Sequence, residues 1–339
     1  MDKISVIIPT YNAETTLEAC LRSIIATGYT PLEIIVGDDY SSDSSPAIVA
    51  RLAAEFPGIV NPLSLPGRSG PAKVRNAGAR VATGTLLFFL DSDTVMDKMA
   101  LARFAERILD ADAVVGIYDA EPLNSGLAAR YKGYLNHYFF SRNGVIPYEV
   151  FDASRAGIRA DVFADVGGYN EALTWGMDFE NEDLGYRLIK AGYRMLLDPS
   201  IHVRHHFPDF TKLTRTYFTR VAQWMEIFLI RRRFESGGVT SAGTGISTAS
   251  LLLAFGLLPF LALTPYMGLT SLVCVGIYFY GYQGFFRYVL ARRPSFLGPA
   301  ILLNVYFTMV LALGASTGLS RVIAGRSQMR RVLGENNLH

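Results

Sequence analysis

The sequence predicts an α/β domain, in which helices flank a mostly parallel sheet, followed by an α-helical transmembrane region. Short apolar runs alternate with helical segments in the first part of the chain, as in sheets that are covered on both faces. Charge is divided unevenly, because residues 1–235 hold 29 of the 30 acidic residues and residues 236–286 hold no charged residue. The uncharged segments beyond residue 235 reach the length of about 20 apolar residues that crosses a bilayer.

Three strands and three helices are predicted in alternation. A short apolar run bounded by turn residues indicates each strand, and capping and breaking residues delimit each helix. The predicted strands are 4–9, 32–36 and 86–90, and the predicted helices are 13–27, 45–56 and 73–82. Gly28, Pro57 and Gly84 lie at the ends of these helices. A further helix is predicted over 184–189, closed by Gly192.

Composition excludes several classes of protein. The 339 residues carry a formal charge of only +2, which argues against nucleic acid as a partner. The two cysteines, Cys20 and Cys274, exclude a disulfide framework and a cysteine zinc site. No G-x-G-x-x-G follows the first strand and no G-x-x-x-x-G-K-[ST] occurs, which argues against a dinucleotide dehydrogenase and a P-loop NTPase.

Polar residues follow all three predicted strands. They are Thr10 to Asn12, Asp38 with Asp39, and Asp91 with Asp93. Because ligands of such sheets bind beyond the carboxyl ends of the strands, we expect a ligand site at this edge. Asp91 and Asp93 suit a divalent cation that also contacts a phosphate, although Asp and Ser are also common in strand-end turns. Asp39 could accept hydrogen bonds from a base or a ribose.

Other charged clusters allow more than one interpretation. Arg75 lies near the start of a predicted helix, where a diphosphate could bind, or it belongs to a solvated basic face. Asp178, Glu180, Glu182 and Asp183 precede or begin the next helix. These acids complement the helix dipole, and one of them could be a general base.

Three histidines lie close together in the sequence, at positions 202, 205 and 206. Each could have a structural role, contact a phosphate or bind a metal ion, and we take His205 as the metal candidate. Their spacing does not match a zinc site with cysteine or glutamate.

Taken in order, these motifs resemble the family 2 glycosyltransferases of the GT-A fold. The resemblance rests on Val6 to Glu14, Asp39, Ala72 to Gly84, Asp91-Ser92-Asp93 and Glu182-Asp183, and it covers about residues 3–225. It implies a donor site for a nucleotide sugar, a Mg²⁺ or Mn²⁺ cofactor, and attack by an acceptor hydroxyl with inversion at the anomeric carbon. The implied donor-binding residues are Pro9, Tyr11, Glu14, Asp39, Arg75 and Asp91. Asp93, with Asp91, would bind the metal, and Asp183, beside Glu182, would deprotonate the acceptor.

A further motif of membrane-bound family members is only partly present. Those proteins carry [Q/R]-x-x-R-W before a membrane helix, where this chain has Arg220, Gln223 and Trp224. Gln223 replaces the arginine and loses its fixed charge, which weakens the prediction of a diphosphate contact and of processive polymer synthesis. Trp224 is also typical of a membrane interface.

The resemblance and the hydropathy together divide the chain. We predict a glycosyltransferase domain at 1–212, an interfacial amphipathic helix at 213–235, a transmembrane region at 236–322 with spans at 246–263, 266–288 and 296–320, and a basic tail at 323–339. The start of the sequence lacks a signal peptide pattern, so we expect a cytoplasmic catalytic domain on a multi-pass inner-membrane protein. Three spans would place the arginines of the tail outside, against the positive-inside rule.

The predicted function is transfer of a sugar, from a UDP-sugar in our first interpretation, to a lipid-linked or cell-envelope acceptor. A processive polysaccharide synthase and a catalytically silent membrane scaffold are the alternatives. A transporter is disfavoured because the predicted spans hold no acidic residue and no lysine.

Overall fold

The computed structural model describes residues 1–173, 179–231, 242–260 and 264–327. The chain divides into two compact units. Residues 1–124 and 140–207 form the first, here the sheet unit, and residues 125–139 and those from 208 onward form the second, here the helical unit.

Strands and helices alternate through the sheet unit, as predicted. The strands among the described residues are β1 (Ile4–Thr10), β2 (Leu32–Asp38), β3 (Val60–Ser64), β4 (Leu86–Leu90), β5 (Thr94–Met96), β6 (Ala113–Tyr118), β7 (Ile146–Pro147), β8 (Arg155–Arg159) and β9 (Met195–His205). The helices of this part of the chain are α1 (Leu17–Ile25), α2 (Ser45–Glu55), α3 (Pro71–Val81), α4 (Ala100–Arg107), α5 (Leu127–Ser141), α6 (Ala160–Asp165) and α7 (Glu180–Lys190), of which α5 lies mostly in the helical unit. All three predicted strands are confirmed, and α1 begins four residues later than predicted.

All nine described strands join one mixed sheet in the order β3-β2-β1-β4-β8-β6-β9-β5, with β7 paired to β9. β3, β2, β1 and β4 are parallel, as the alternating pattern predicts. β8 runs antiparallel to both β4 and β6, β9 is parallel to β6, and β5 and β7 are antiparallel to β9. The parallel half therefore brings the ends of β1, β2 and β4 to one edge.

Helices cover both faces of this sheet. Side chains of α1, α2 and α4 pack on one face, and side chains of α3, α6 and α7 pack on the other. β1 has consecutive apolar residues because both faces are covered: Val6 and Ile8 point to the first face, and Ile7 points to the second.

Within the residues that the structure describes, the helical unit has four long helices and most of α5. The long helices are α8 (Phe210–Arg231), α9 (Ala242–Leu257), α10 (Pro265–Arg292) and α11 (Leu297–Ile323). A buried polar network connects α5, α10 and α11: Asn304 Nδ2 donates to the Tyr131 hydroxyl at 3.0 Å, and the Tyr278 hydroxyl donates to Asn304 Oδ1.

Among the described residues, two helical segments are long and apolar enough to cross a membrane, judged by length and composition. They are Gly243–Phe260 and Pro294–Ile323, which overlap the first and third predicted spans. α10 covers the second predicted span but is not one of these two segments, since its tyrosines and Gln283 lower its mean hydropathy. Parts of three predicted segments lie outside the described residues. They are 232–235 of the interfacial helix, 261–263 of the first span and 328–339 of the tail. The number of crossings stays a prediction.

Candidate active site

Two glycines bring α3 close to the sheet. A Cβ on Gly78 would lie 2.6 Å from the Ile7 side chain on β1, and a Cβ on Gly37 would collide with Val74. Because these positions have no side chain, α3 packs directly on β1 and β2. This close packing places Arg75, the residue after Val74, at the edge of the sheet where the parallel strands end.

Arg75 is buried and links two acidic side chains. Its Nη2 donates to Asp91 Oδ1 at 2.9 Å, and its Nη1 lies 3.6 Å from Glu180 Oε1. Burial alone would lower the pKa of the guanidinium, but the nearby Asp91, Tyr169 and Glu180 raise the pKa above its usual value. Arg75 is therefore a permanent cation between the end of β4 and the start of α7. Its predicted place beside the donor phosphates stays a prediction.

Several buried polar atoms in this region have no hydrogen-bond partner among the described residues. Thr10 Oγ1 and Asp38 Oδ1 lie at the paired ends of β1 and β2, and the Tyr169 hydroxyl belongs to a ring whose centre is 5.5 Å from the Arg75 guanidinium. Because buried polar groups are nearly always hydrogen-bonded, such atoms are typical of a surface that a polar ligand completes.

Asp39 holds the loop that precedes α3. Its Oδ1 accepts a hydrogen bond from the Ser69 amide at 2.5 Å, and its Oδ2 accepts one from the Gly70 amide at 2.9 Å. The side chain is buried. Its contacts with this loop were not predicted, and its role toward a nucleotide base stays a prediction.

The other predicted donor-binding residues lie at the same edge. Pro9 is in β1, opposite Gly37 of β2, and the Arg68 guanidinium stacks 3.8 Å from the centre of the Tyr11 ring. Glu14 is exposed, and its Oε2 accepts a hydrogen bond from the Ser44 amide at the start of α2. Glu14 therefore caps a helix in this structure.

Asp93 and His205 lie side by side. His205 Nε2 is 3.3 Å from Asp93 Oδ1, because β9 ends at His205 beside the segment that follows β4. The Asp93 carboxylate is 42% exposed. No three His, Cys, Asp or Glu side chains converge on a metal-sized point within the described part of the chain. Asp93 and His205 therefore suit a cation that takes its remaining ligands from substrate oxygens and water, as Mg²⁺ does at nucleotide sites.

The predicted base Asp183 has a strong partner. Arg187, one helical turn later on α7, donates from Nε to Asp183 Oδ2 at 2.9 Å and also binds the Val166 and Gly168 carbonyls. Asp183 is buried in this pairing. Glu182 is half-buried on the same helix. Glu180, the first residue of α7, is linked to Asp91 through Arg75.

A series of ring and ion-pair contacts next to His205 was not predicted from the sequence. The His205 ring lies 4.7 Å from the Tyr118 ring, and the buried Arg155 guanidinium stacks 3.9 Å from Tyr118 on its other side. Arg155 in turn donates to Asp152 Oδ2 at 2.6 Å. The sequence offers one signal for this arrangement, the Asp152–Arg155 spacing of three residues.

The remaining candidates lie elsewhere in the chain. Arg220, Gln223 and Trp224 are on α8 in the helical unit, where Trp224 stacks on Phe228 with ring centres 5.2 Å apart. Their predicted contact with a diphosphate stays a prediction. Asp178 lies outside the described residues.

Comparisons with known proteins agree with this geometry. Residues 5–167 match the model of the family "Glycosyl transferase family 2". The chain is 36% identical over 107 residues to the GalNAc(5)-diNAcBac-PP-undecaprenol beta-1,3-glucosyltransferase of Campylobacter jejuni, covering 32% of this chain and 35% of that relative. It is 25% identical over 234 residues to the glycosyltransferase AglE of Haloferax volcanii, covering 68% of this chain and 75% of AglE. It thus spans about a third of the first relative's length.

The fold also matches a solved structure. The mannosyltransferase PcManGT from Pyrobaculum calidifontis, solved with GDP-Man and Mn²⁺, superimposes with a TM-score of 0.57 at 18% identity, covering 94% of this chain and 87% of that one. At this identity the likeness shows the fold alone. Residues 5–167, just under half of the chain, therefore match the family 2 glycosyltransferases, and the sheet with its flanking helices has the GT-A fold.

Proposed function

We propose that this protein transfers a sugar from a nucleotide-sugar donor to a lipid-linked or cell-envelope acceptor, with inversion at the anomeric carbon. The observation that carries the proposal is the convergence of Asp91, Arg75 and Glu180 at the edge where β1, β2 and β4 end. A donor diphosphate, an acceptor hydroxyl and a carboxylate base can meet in such an arrangement.

The donor occupies the ends of the parallel strands in this proposal. Tyr11, with Arg68 stacked on it, offers an aromatic and a cationic surface for a base. Thr10 and Asp38 offer buried hydrogen-bonding atoms for a ribose. A UDP-sugar remains our first expectation for the donor, and the PcManGT complex with GDP-Man makes GDP-mannose the second donor to test.

Asp93, with Asp91 and His205 beside it, would hold a Mg²⁺ or Mn²⁺ ion. Such an ion supplies charge neutralisation to the diphosphate that leaves. The PcManGT structure contains Mn²⁺ together with GDP-Man, which supports the use of a divalent ion in this proposal. The neighbouring Tyr118 and Phe207 rings hold the His205 imidazole in place.

We propose Glu180, in place of Asp183, as the carboxylate that accepts the proton of the acceptor hydroxyl. Arg75 holds Glu180 toward Asp91, while Asp183 is bound to Arg187. The same cation lies 3.6 Å from Glu180 and fixes the position of its carboxylate. A general base contributes about 10²–10⁴-fold to rate, so this assignment is testable by kinetics.

The acceptor is proposed from two independent observations. The Campylobacter relative is named for a diphosphate-linked undecaprenol acceptor. The helical unit of this chain contains two segments apolar enough to cross a membrane. Together they favour an acceptor that is held in a lipid bilayer.

The function is tested with purified full-length protein in detergent. It is incubated with a panel of UDP- and GDP-sugars, with Mn²⁺ or with EDTA, and with lipid extract, and release of the nucleoside diphosphate is measured. EDTA-sensitive release from one donor, increased by lipid extract, supports the proposal. Lipid products of one added sugar separate it from a processive synthase, which makes long chains. Release from no donor, together with no donor binding by calorimetry, would contradict it.

A further inference from the structure

α8 and α11 pack parallel to each other over most of their length. The Thr214 hydroxyl lies 3.3 Å from the Tyr306 hydroxyl near the start of the pair. In the middle, a Cβ on Gly314 would lie 2.6 Å from the Phe218 carbonyl oxygen. At the far end, Arg321 lies 3.6 Å from the buried Glu226. The two helices therefore share one direction and one axial level.

This pairing places the cations of α8 beside the apolar part of α11. From Pro294 to Ser320, α11 and the turn before it carry no charge. Lys212, Arg215 and Arg220 are exposed on α8, and the contacts above put them level with residues 306–316 of α11. If α11 crossed a bilayer along its uncharged stretch, these three cations would lie inside the hydrocarbon, where charged side chains are costly.

Arginines also lie at both ends of α11. Arg292 and Arg293 are exposed just before it begins, and Arg321 and Arg326 lie at and after its end. Its 27 residues span about 40 Å at 1.5 Å per residue. A helix that crossed the bilayer would put these basic groups on opposite sides, against the positive-inside rule. A helix that lay along the membrane would put all of them on one surface.

Large apolar side chains are exposed on three helices of this unit. Leu253 on α9, Leu272 on α10, and Leu302 and Leu313 on α11 are each more than half exposed, with 70% for Leu272 and 60% for Leu313. An exposed apolar surface bordered by basic residues matches the chemistry of an anionic lipid leaflet, with acyl chains below and phosphates at the rim.

From these observations we propose that the helical unit lies in the plane of one anionic membrane leaflet, with α8 at headgroup level and the exposed leucines of α9, α10 and α11 in the acyl layer. This arrangement replaces the three predicted crossings and places the arginines at both ends of α11 on one surface. It does not depend on the proposed transferase function, and its test uses no donor.

Cysteine labelling distinguishes the orientations. Lys212→Cys and Leu313→Cys are made in the full chain, whose native Cys20 and Cys274 are buried, and the unaltered chain is the blank. Each variant is bound to vesicles that contain phosphatidylglycerol and is treated with a membrane-impermeant maleimide. We expect Lys212→Cys to label as fast as in detergent and Leu313→Cys to lose most of its labelling. Protection of both would indicate a bilayer-crossing pair, and labelling of both would show that lipid does not cover α11; either result overturns the proposal.

The lipid requirement is tested by flotation with phosphatidylcholine vesicles that contain or lack phosphatidylglycerol. The Arg292→Gln/Arg293→Gln variant should lose a large part of its binding to the anionic vesicles. Arg80→Gln, which removes an exposed arginine of the sheet unit, should not. Equal binding of all three proteins to both vesicle types would overturn the anionic preference.

Discussion

Arg75 Nη2 donates a hydrogen bond to Asp91 Oδ1 at 2.9 Å, while Nη1 of the same guanidinium lies 3.6 Å from Glu180 Oε1. One buried cation thus ties the end of β4 to the first residue of α7. Without it, the two carboxylates would face each other with no neutralising charge between them.

Replacement of Arg75 should therefore affect catalysis through Glu180. We expect Arg75→Met to lower kcat by about 10²-fold, the usual effect of misplacing a catalytic group by about 1 Å. Arg75→Lys should recover part of the rate, because it keeps a cation between Asp91 and Glu180. A merely structural role would lower the thermal midpoint and leave kcat of the folded protein unchanged.

Glu180→Gln and Asp183→Asn should have different effects. Glu180→Gln is expected to lower kcat by about 10²–10⁴-fold and to leave donor binding by calorimetry nearly unchanged. Asp183→Asn breaks an ion pair with Arg187 and should reduce the free energy of unfolding by about 1–3 kcal/mol, with a smaller effect on kcat. The reverse pattern would return the role of base to Asp183.

Asp93→Ala should abolish the response to metal. We expect its rate of diphosphate release to fall by about 10²-fold or more and to be the same in Mn²⁺ and in EDTA. Asp97→Ala is the matched control, because Asp97 lies in the same segment but pairs with Arg103. Metal-dependent turnover in Asp93→Ala at the native rate would show that other residues hold the ion.

The elements that were predicted best from the sequence are those that a pattern of neighbouring residues determines. β4, at Leu86–Leu90, has the predicted bounds because its five residues are apolar and Asp91 follows. β3 was missed, since Val60–Ser64 is short and contains Pro62. β8 reverses the direction of the sheet beside β4, and no local pattern in its five residues indicates this direction.

The sequence predicted which edge of the sheet the candidate residues occupy, but not which side chains and amides they contact. Asp91 and Asp93 were placed at the strand edge because the carboxyl ends of parallel strands meet there. Asp39 was not predicted to bind the Ser69 and Gly70 amides, because that contact depends on how the loop before α3 folds back. The pairing of Asp183 with Arg187 did have a sequence signal, since residues four apart on a helix are neighbours.

Acid should remove the contribution of Glu33 to stability. Burial by itself raises the pKa of this carboxyl, but hydrogen bonds from Ser5, Thr83 and Lys3 lower it to about 2 from an ordinary value of 4.5. Since the folded state has the lower pKa, the contribution is complete above pH 4.5 and disappears as the pH falls toward 2. We expect Glu33→Gln to unfold at a lower temperature than the native chain at pH 7. Thermal unfolding in detergent across this range should show the gap closing in acid; a gap independent of pH would contradict the assignment.

Gly318 tests the packing of α8 on α11. A Cβ at this position would collide with the Ala222 carbonyl oxygen, whereas a Cβ on Gly298 of the same helix meets no atom within 4 Å. Close helix contact through Gly314 and Gly318 follows the G-x-x-x-G pattern, in which small residues let two backbones approach. Gly318→Ala should therefore cost about 1–3 kcal/mol of stability by overpacking. Gly298→Ala should have no cost or a small gain, because alanine favours a helix over glycine. Helix melting followed by circular dichroism in detergent compares the two, and equal midpoints for both variants would show that α8 and α11 do not pack through this glycine.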